Sequence, residues 1–192
     1  MSSHTISPGG FALIQQFEGF QSEPVQLPDG NWVVGHGHIR AGAPGADVER
    51  AEARSLLALD LAPIERSVNE NVKAEITQQQ FDALASFAFS LGLDVFEHSD
   101  VLRKVNAGQF FAAGCAMDAW RKSDASGEAE IIDTLVRRRA AEKALFLADV
   151  SVDASPSVFM RAKLDHAAAI LGAPIAFARA PQVGSTPVVQ PK

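Results

Sequence analysis

The segment FEGFQSEPVQLPDGNWVVGHGH, residues 17–38, constrains the fold of this chain more than any other. Apolar residues at three-residue spacing before it predict a helix over 7–19, which Gly19 can end. The turn signal at 28–30 and the strand formers after it predict a β-hairpin over 24–39. The alternating glycines and histidines of 35–38 fit a tight strand that another segment crowds. The chain therefore begins with a helix that leads directly into a small antiparallel lobe.

Helical patterns dominate the rest of the chain. A long amphipathic helix is predicted from Glu49, and Pro63 should kink or break it because a mid-helix proline costs about 3 kcal/mol. Thr77 opens a capping box for a helix that is apolar nearly all round, which indicates a central buried helix. The fold class is predicted as α+β, mostly helical with a small β-hairpin lobe. Further helices are predicted at 99–106, 109–121 and 131–148, with a polar loop at 123–130.

The character of the sequence changes after Val150. Residues 1–150 are predicted to form one folded domain, and 151–173 a C-terminal extension helix that follows a linker-like stretch. Residues 174–192 are rich in proline, glycine and small side chains, so they are predicted to begin a flexible Pro-rich linker. We expect more protein beyond this linker.

Charge and composition narrow the function classes. The formal net charge of −6 does not favour nucleic acid or an anionic cell wall as a partner. The basic run Arg137-Arg138-Arg139 is interpreted as a solvated helix face with one buried ion pair rather than a nucleic-acid site. No apolar run is long enough to span a membrane, no signal peptide is recognised, and Cys115 is the single cysteine. A cytoplasmic location is therefore predicted.

The order of these motifs resembles the phage-type lysozymes, glycoside hydrolase family 24. A helix ending in Glu-Gly and a hairpin ending in Gly-His-Gly-His are followed by ERAEARSLLALDL, ITQQQFDALASFAFSLGLDVF, VLRKVNAGQF and LVRRRAAEKALF, all in family order. The resemblance covers residues 7–148. It implies a lysozyme-like fold in which a small lobe lies over a cleft and a long helix joins it to a larger helical lobe.

By this resemblance Glu18 falls on the general acid of the family. A glycosidic oxygen is a poor leaving group until it is protonated, and a glutamate in a partly apolar site can hold that proton near neutral pH. Such chemistry also needs a second group that stabilises positive charge or orients a water molecule.

The second group is replaced in this sequence. The spacing from Glu18 to His38 matches the family, with Gly30 in register, so the aspartate position is Leu27 and the threonine position is Val33. Leu27 and Val33 flank one turn and could face each other in the cleft. Both substitutions make the floor of the cleft hydrophobic, so Glu18 is predicted to be a vestigial general acid.

Two other carboxylates are candidates for the missing group. Asp29 is better explained as a turn-forming residue beside Gly30. Glu23 lies in the connecting segment and is a weaker candidate. Neither is expected to restore the lost chemistry.

The remaining family positions are mixed. His38 and Asp60 match a structural ion pair between the hairpin and the long helix, and Ser90 replaces an asparagine of the cleft. His36 is assigned to the cleft with Gly30 and Ser90. No metal or other cofactor is predicted, because no carboxylate or cysteine spacing joins the two histidines. An arginine of the last helix is expected to pair with Glu18, since an orphaned buried carboxylate would be costly.

Three functions stay open at this point. They are an active or residual muramidase, a silent lysozyme fold that still binds peptidoglycan, and a protein-interaction module built on the apolar cleft. A closer resemblance, to lysozyme-like domains of polar developmental scaffolds in stalked alphaproteobacteria, favours the third. It implies self-association, recruitment of a sensor histidine kinase and a polar organiser, location at a cell pole, and membrane segments outside this chain. The domain is therefore predicted to be a non-catalytic scaffold.

Overall fold

The computed structural model describes residues 3–123 and 130–150, and this part of the chain is mostly helical. The helices are α1 (Pro8–Glu18), α2 (Arg50–Asn71), α3 (Gln78–Leu91), α4 (Leu93–Glu97), α5 (Asp100–Asn106), α6 (Phe110–Ala116) and α7 (Asp133–Phe146), with a 3-10 turn at Met117–Ala119. The strands are β1 (Gln21–Gln26), β2 (Trp32–Gly35), β3 (His38–Arg40), β4 (Lys122–Ser123) and β5 (Glu130–Ile131). The predicted α+β class is confirmed.

Helix α1 begins and ends at the residues that local chemistry favours. The Ser7 side chain accepts a hydrogen bond from the Gly10 N–H, and Pro8 occupies the first turn, where its missing donor is not needed. Gly19 ends the helix with a φ of 74°, a conformation that glycine adopts without a Cβ clash. Glu18 is therefore the last residue of the helix, and Gly19 and Phe20 connect it to β1.

The predicted hairpin is a three-stranded antiparallel sheet, in the order β1-β2-β3. The prediction of one strand over 35–38 was wrong, because Gly35 ends β2, His36 and Gly37 form a turn, and His38 begins β3. Gly35 and Gly37 have φ values of 68° and 89°, which reverse the chain within four residues. A Cβ at Gly35 would lie 3.1 Å from the Ala53 Cβ, so crowding by α2 is present as predicted.

Helix α2 runs without interruption through Pro63, so the predicted break is wrong. Proline has no N–H, so Pro63 cannot donate to the carbonyl of Leu59 one turn earlier. Both Pro63 and Leu59 are exposed residues. The opposite face buries Leu57, Leu61 and Val68 at 2% exposure or less. Burial of several such side chains, at about 1.5–3 kcal/mol each, exceeds the cost of one proline.

Helix α3 forms the centre of the larger core. Its N-terminus has the predicted capping box, in which the Thr77 hydroxyl accepts from the Gln80 N–H and the Gln80 side chain accepts from the Thr77 N–H. Every residue from Gln80 to Ala88 is buried, and α1, α2, α4 and α7 pack around the helix. A second, smaller core of Val34, Val48 and Ala53 joins the sheet to α2.

The predicted loop 123–130 and the segments after residue 150 lie partly or wholly outside the described residues. The predicted loop 123–130 is bounded by the short β4–β5 ladder. The proposed helix at 151–173 and linker at 174–192 lie outside the described residues, and the division at 150 stays a prediction. Within residues 3–123 and 130–150, no helix has the length and hydropathy needed to cross a membrane.

Candidate functional site

Glu18 lies between the last helix and the turn of the sheet. Its Oε1 accepts a hydrogen bond from Arg138 Nη1 at 2.5 Å, which confirms the expected pairing with an arginine of the last helix. A Cβ at Gly37 would lie 3.4 Å from Glu18 Oε2, so the absence of a side chain at Gly37 leaves room for the carboxylate. The Glu18 side chain keeps 21% of its surface exposed.

Arg138 is the centre of a buried network. Its Nε donates to Glu142 Oε1 at 3.0 Å, and its Nη2 donates to the Ser86 carbonyl at 3.1 Å. Glu142 also accepts from the Ser86 hydroxyl at 2.7 Å and from Arg139 Nη1 at 2.6 Å. The network holds two arginines and two glutamates, so its formal charges cancel.

Ser90 joins the same network from the end of α3. Arg139 Nη2 donates to Ser90 Oγ at 2.5 Å, and the Arg139 guanidinium carbon lies 4.9 Å from the centre of the Phe87 ring. Burial lowers the pKa of Arg139, and Glu142 opposes that shift. Burial likewise raises the pKa of Glu142, whereas the guanidiniums of Arg139 and Arg138 lower it. Ser90 itself is half-buried and accepts its hydrogen bond from the buried guanidinium of Arg139.

The basic run of the last helix was misread from the sequence. Arg138 and Arg139 are 5% and 1% exposed, and only Arg137 lies on the solvated face. The sequence pattern predicted one buried ion pair, whereas in the described part of the chain three ion pairs join Arg138 and Arg139 to carboxylates. A signal was present, because Glu142 follows Arg138 and Arg139 at i+4 and i+3 and so shares their helix face. Hydrophobic periodicity alone misses this face, since its buried positions are charged.

Leu27 and Gly30 form the turn after β1. The Leu27 N–H donates to the Asn31 carbonyl at 2.7 Å, and the Gly30 N–H donates to the Leu27 carbonyl at 3.0 Å. Asp29 Oδ1 and Oδ2 accept from the Asn31 N–H and the Asn31 side-chain amide, both at 3.0 Å. Asp29 is exposed and occupied by its own turn, which agrees with the interpretation of this residue as turn-forming.

Val33 lies in an apolar row across the sheet. It pairs directly with Val25 on β1 and with Ile39 on β3, so these three side chains share one face. The neighbouring Val34 is fully buried toward α2, which places the row on the opposite face. Val25 and Ile39 are 46% and 50% exposed. Leu27 follows Val25 by two residues, so the alternation of β1, continued, assigns Leu27 to the same face.

His38 and Asp60 are in contact. His38 Nδ1 lies 2.9 Å from Asp60 Oδ2, and this contact joins the start of β3 to α2. Both side chains are mostly buried, at 23% and 28% exposure. The pair connects the sheet to the helix, and its purely structural role stays a prediction.

His36 occupies a different place from the one predicted for it. The ring is 5% exposed, and its Nδ1 donates to the Gly19 carbonyl at the end of α1. The Gln15 amide donates to His36 Nε2 at 2.9 Å, so the ring carries its proton on Nδ1. Both ring nitrogens are occupied by these contacts. His36 lines a pocket with residues of α1 and α2 rather than with the Glu18 carboxylate.

The structure thus brings Glu18 and Ser90 into one charged network, and it places Val33 in one apolar row with Val25 and Ile39. Among residues 3–123 and 130–150, no group of three histidine, cysteine, aspartate or glutamate side chains could hold a metal ion. The described carboxylates nearest in sequence to Glu18, at Glu23 and Asp29, lie in β1 and in its turn.

Comparison with known proteins gives consistent matches. The model of the phage lysozyme family matches residues 15–142. An endolysin of Acyrthosiphon pisum secondary endosymbiont phage 1 is 33% identical over 141 residues, which cover 73% of this chain and 97% of the relative.

Two solved structures show the same fold. The muramidase domain of SpmX from Asticaccaulis excentricus is 46% identical, with a TM-score of 0.72 over 75% of this chain and 98% of that one. The endolysin from Escherichia coli O157:H7 phage FAHEc1 is 28% identical, with a TM-score of 0.71 over 79% of this chain and 99% of that one.

Proposed function

This chain belongs to the phage lysozyme family, and we propose that it is a degenerate member that serves as a protein-interaction and self-association module with little or no muramidase activity. The observation that carries this proposal is the apolar row Val25-Val33-Ile39 on the open face of the sheet. The alternation of β1 assigns Leu27 to the same face. By the family register, Leu27 and Val33 stand at the two positions where glycoside hydrolysis needs a polar partner to the acid.

The chemistry of aliphatic side chains supports binding rather than hydrolysis. Leucine and valine carry no charge and no donor or acceptor, so neither can stabilise an oxocarbenium ion or position water. Exposed aliphatic groups gain free energy when a partner removes them from water, at about 25 cal/mol per Å². A surface of this kind is suited to another protein surface, since sugar rings offer many hydroxyl groups that it could not satisfy.

Glu18 has a structural role in this proposal. Its carboxylate neutralises Arg138, which in turn holds Glu142 and the Ser86 carbonyl. Loss of Glu18 would leave a buried guanidinium with one acceptor fewer, so the residue is useful to the fold without catalysis.

The proposed partners follow from the resemblance of this sequence to lysozyme-like domains of polar developmental scaffolds. We propose self-association, a sensor histidine kinase and a polar organiser as partners, with the domain in the cytoplasm at a cell pole. Tethering to the membrane would be through segments outside these 192 residues. The likeness to the muramidase domain of SpmX is in keeping with this assignment.

One observation favours the alternative of residual muramidase activity. The Glu18 carboxylate is retained beside Gly37, and part of it stays open to solvent. Removal of one catalytic group leaves the rate that comes from binding and orientation, so slow hydrolysis is compatible with Leu27 and Val33.

Turbidity clearing of purified peptidoglycan tests the proposal. Three proteins are compared, namely the parent, Glu18→Gln, and the double variant Leu27→Asp/Val33→Thr, each checked for folding by thermal melting. We expect no clearing by the parent or by Glu18→Gln. Clearing by the parent that disappears in Glu18→Gln would sink the proposal, because the domain would then be a working enzyme. Activity gained by the double variant would assign the loss to these two positions.

Two binding measurements separate the remaining possibilities. Sedimentation velocity over a range of protein concentrations is expected to show self-association, whereas a concentration-independent monomer would argue against it. Cosedimentation with intact peptidoglycan tests the glycan-binding alternative, and retention on the wall material would favour that alternative over a protein-interaction module.

A further inference from the structure

The pocket that His36 lines also contains two arginines of α2. It is open, has a volume of about 600 Å³, and is formed where α1 meets the start of α2. Its lining includes Gln15, Gln16, Phe20, His36, Arg50 and Arg54. The pocket therefore combines two arginines, two amides, one phenyl ring and one imidazole.

Aromatic rings support the two arginines. The guanidinium carbon of Arg50 lies 4.6 Å from the centre of the Phe20 ring, and that of Arg54 lies 5.1 Å from the centre of the Phe11 ring. Arg50 and Arg54 are one helical turn apart on α2, so they are neighbours on one face. Stacking on a ring restricts a long side chain before any ligand arrives, which reduces the entropy lost on binding.

Hydrogen bonds fix the wall of the pocket. Arg54 Nη1 donates to Gln15 Oε1 at 3.2 Å, the Gln15 amide donates to His36 Nε2, and His36 Nδ1 donates to the Gly19 carbonyl. This chain of donors orients the Gln15 amide and leaves the other N–H groups of Arg54 without a partner on that wall. Arg54 therefore keeps donors for an external group.

The positive charges of this pocket are not neutralised locally. Within the described ranges 3–123 and 130–150, neither Arg50 nor Arg54 forms an ion pair with a carboxylate. The whole chain carries a formal net charge of −6, so two neighbouring guanidiniums that have no carboxylate partner among the described residues form a local positive patch. An unpaired arginine pair with planar donors is suited to carboxylate oxygens, which it can bind in a bidentate manner.

We propose that this pocket binds an acidic peptide segment of a partner protein, with carboxylates on Arg50 and Arg54 and an apolar side chain against Phe20. The size of the pocket favours a peptide, because about 600 Å³ exceeds what one carboxylate would occupy. Gln16, which is exposed, offers a further donor and acceptor to the peptide backbone. This site is separate from the apolar row of the sheet, so it is independent of the proposed function.

Fluorescence anisotropy with a labelled probe peptide, EELEE, tests this inference. The neutral peptide QQLQQ serves as the reference ligand. The protein variants are Arg50→Gln/Arg54→Gln and, as a matched control, Arg66→Gln, an exposed arginine further along the same helix α2. Each titration is made at low and at physiological ionic strength, because screening weakens exposed charge pairs.

The parent is expected to bind EELEE more tightly than QQLQQ, and the double variant to bind EELEE at least about tenfold more weakly. Arg66→Gln is expected to bind like the parent. Equal binding of EELEE by the parent and the double variant would overturn the inference, and so would an equal loss in Arg66→Gln, which would indicate non-specific attraction. Absence of EELEE binding by the parent at low ionic strength would also overturn it.

Discussion

Arg138 Nη1 donates to Glu18 Oε1 at 2.5 Å, although the two residues are 120 positions apart in the chain. This contact joins the end of α1 to α7 and continues through Glu142 to α3. The carboxylate at the general-acid position of the family is thus part of a largely buried charged network. Because each charged group there depends on its partners, removal of one member should affect the stability of the whole domain.

Replacement of Arg138 by methionine is expected to lower the free energy of unfolding by about 3–5 kcal/mol, since it leaves Glu142 buried with one partner fewer and Glu18 without its cation. Urea denaturation followed by circular dichroism measures the change. The adjacent, exposed Arg137 is the control, and Arg137→Met should stay within about 0.5 kcal/mol of the parent. Similar losses in both variants would contradict the buried network.

Asp82 ties α3 to the start of α1, and its removal should also be costly. It is 3% exposed, Oδ1 accepts from the Ser7 N–H and from Gln78 Nε2, both at 2.9 Å, and Oδ2 accepts from the Ser7 hydroxyl at 2.5 Å. Asp82→Ala leaves these donors unsatisfied and should cost about 2–3 kcal/mol in unfolding free energy. Glu70→Ala, at an exposed position of α2, is the control and should be nearly neutral. A neutral Asp82→Ala would show that water replaces the carboxylate without loss.

Pro63→Ala is expected to raise the melting temperature. The helix is continuous at Pro63, so alanine restores a hydrogen bond to the Leu59 carbonyl and removes a propensity cost of about 3 kcal/mol. The more flexible unfolded chain offsets about 1 kcal/mol of this gain. Pro44→Ala, in the loop before α2, should bring no such increase. A lower melting temperature for Pro63→Ala would mean that the proline ring makes contacts that alanine cannot replace.

Val25→Lys/Ile39→Lys should reduce self-association without unfolding the domain. Both side chains are about half exposed, so lysine can extend into solvent at either position, while its charge would oppose burial in an interface. Sedimentation velocity is expected to show a lower average mass than for the parent at the same concentration. Leu59→Lys is the matched control, since Leu59 is 67% exposed on α2. If Val25→Lys/Ile39→Lys still self-associates and Leu59→Lys does not, the interface lies on α2 and not on the sheet.

The features of this fold that depend on residues close together in the sequence were mostly predictable, and those that depend on distant residues mostly were not. The start of α1 at Ser7, its end at Gly19 and the capping box at Thr77 involve contacts within four residues, and all three were predicted. Pro63 was misjudged because local propensity predicts a break, whereas burial of the other face of α2 keeps the helix intact. The prediction of one continuous strand over 35–38 also failed, since alternation along a sequence does not reveal the positive φ values of Gly35 and Gly37.

The candidate site was predictable in its residues more than in its contacts. Family spacing predicts that Leu27 and Val33 are the replaced positions, which stays a prediction, and an arginine of the last helix was expected at Glu18, where Arg138 lies. The neighbours of Val33, at Val25 and Ile39, required the strand register, which the sequence does not specify at this precision.

By itself, the sequence determined the helical character of this protein and the ends of its main helices, and it predicted the replacement of polar groups at Leu27 and Val33. Only the tertiary structure decided that Arg138 and Arg139 are buried and that His36 faces Gly19. Capping, turns and periodicity act between residues close in the chain, so they can be read from it. Burial and charge pairing join residues far apart in sequence, and they depend on how α1, α3 and α7 pack together.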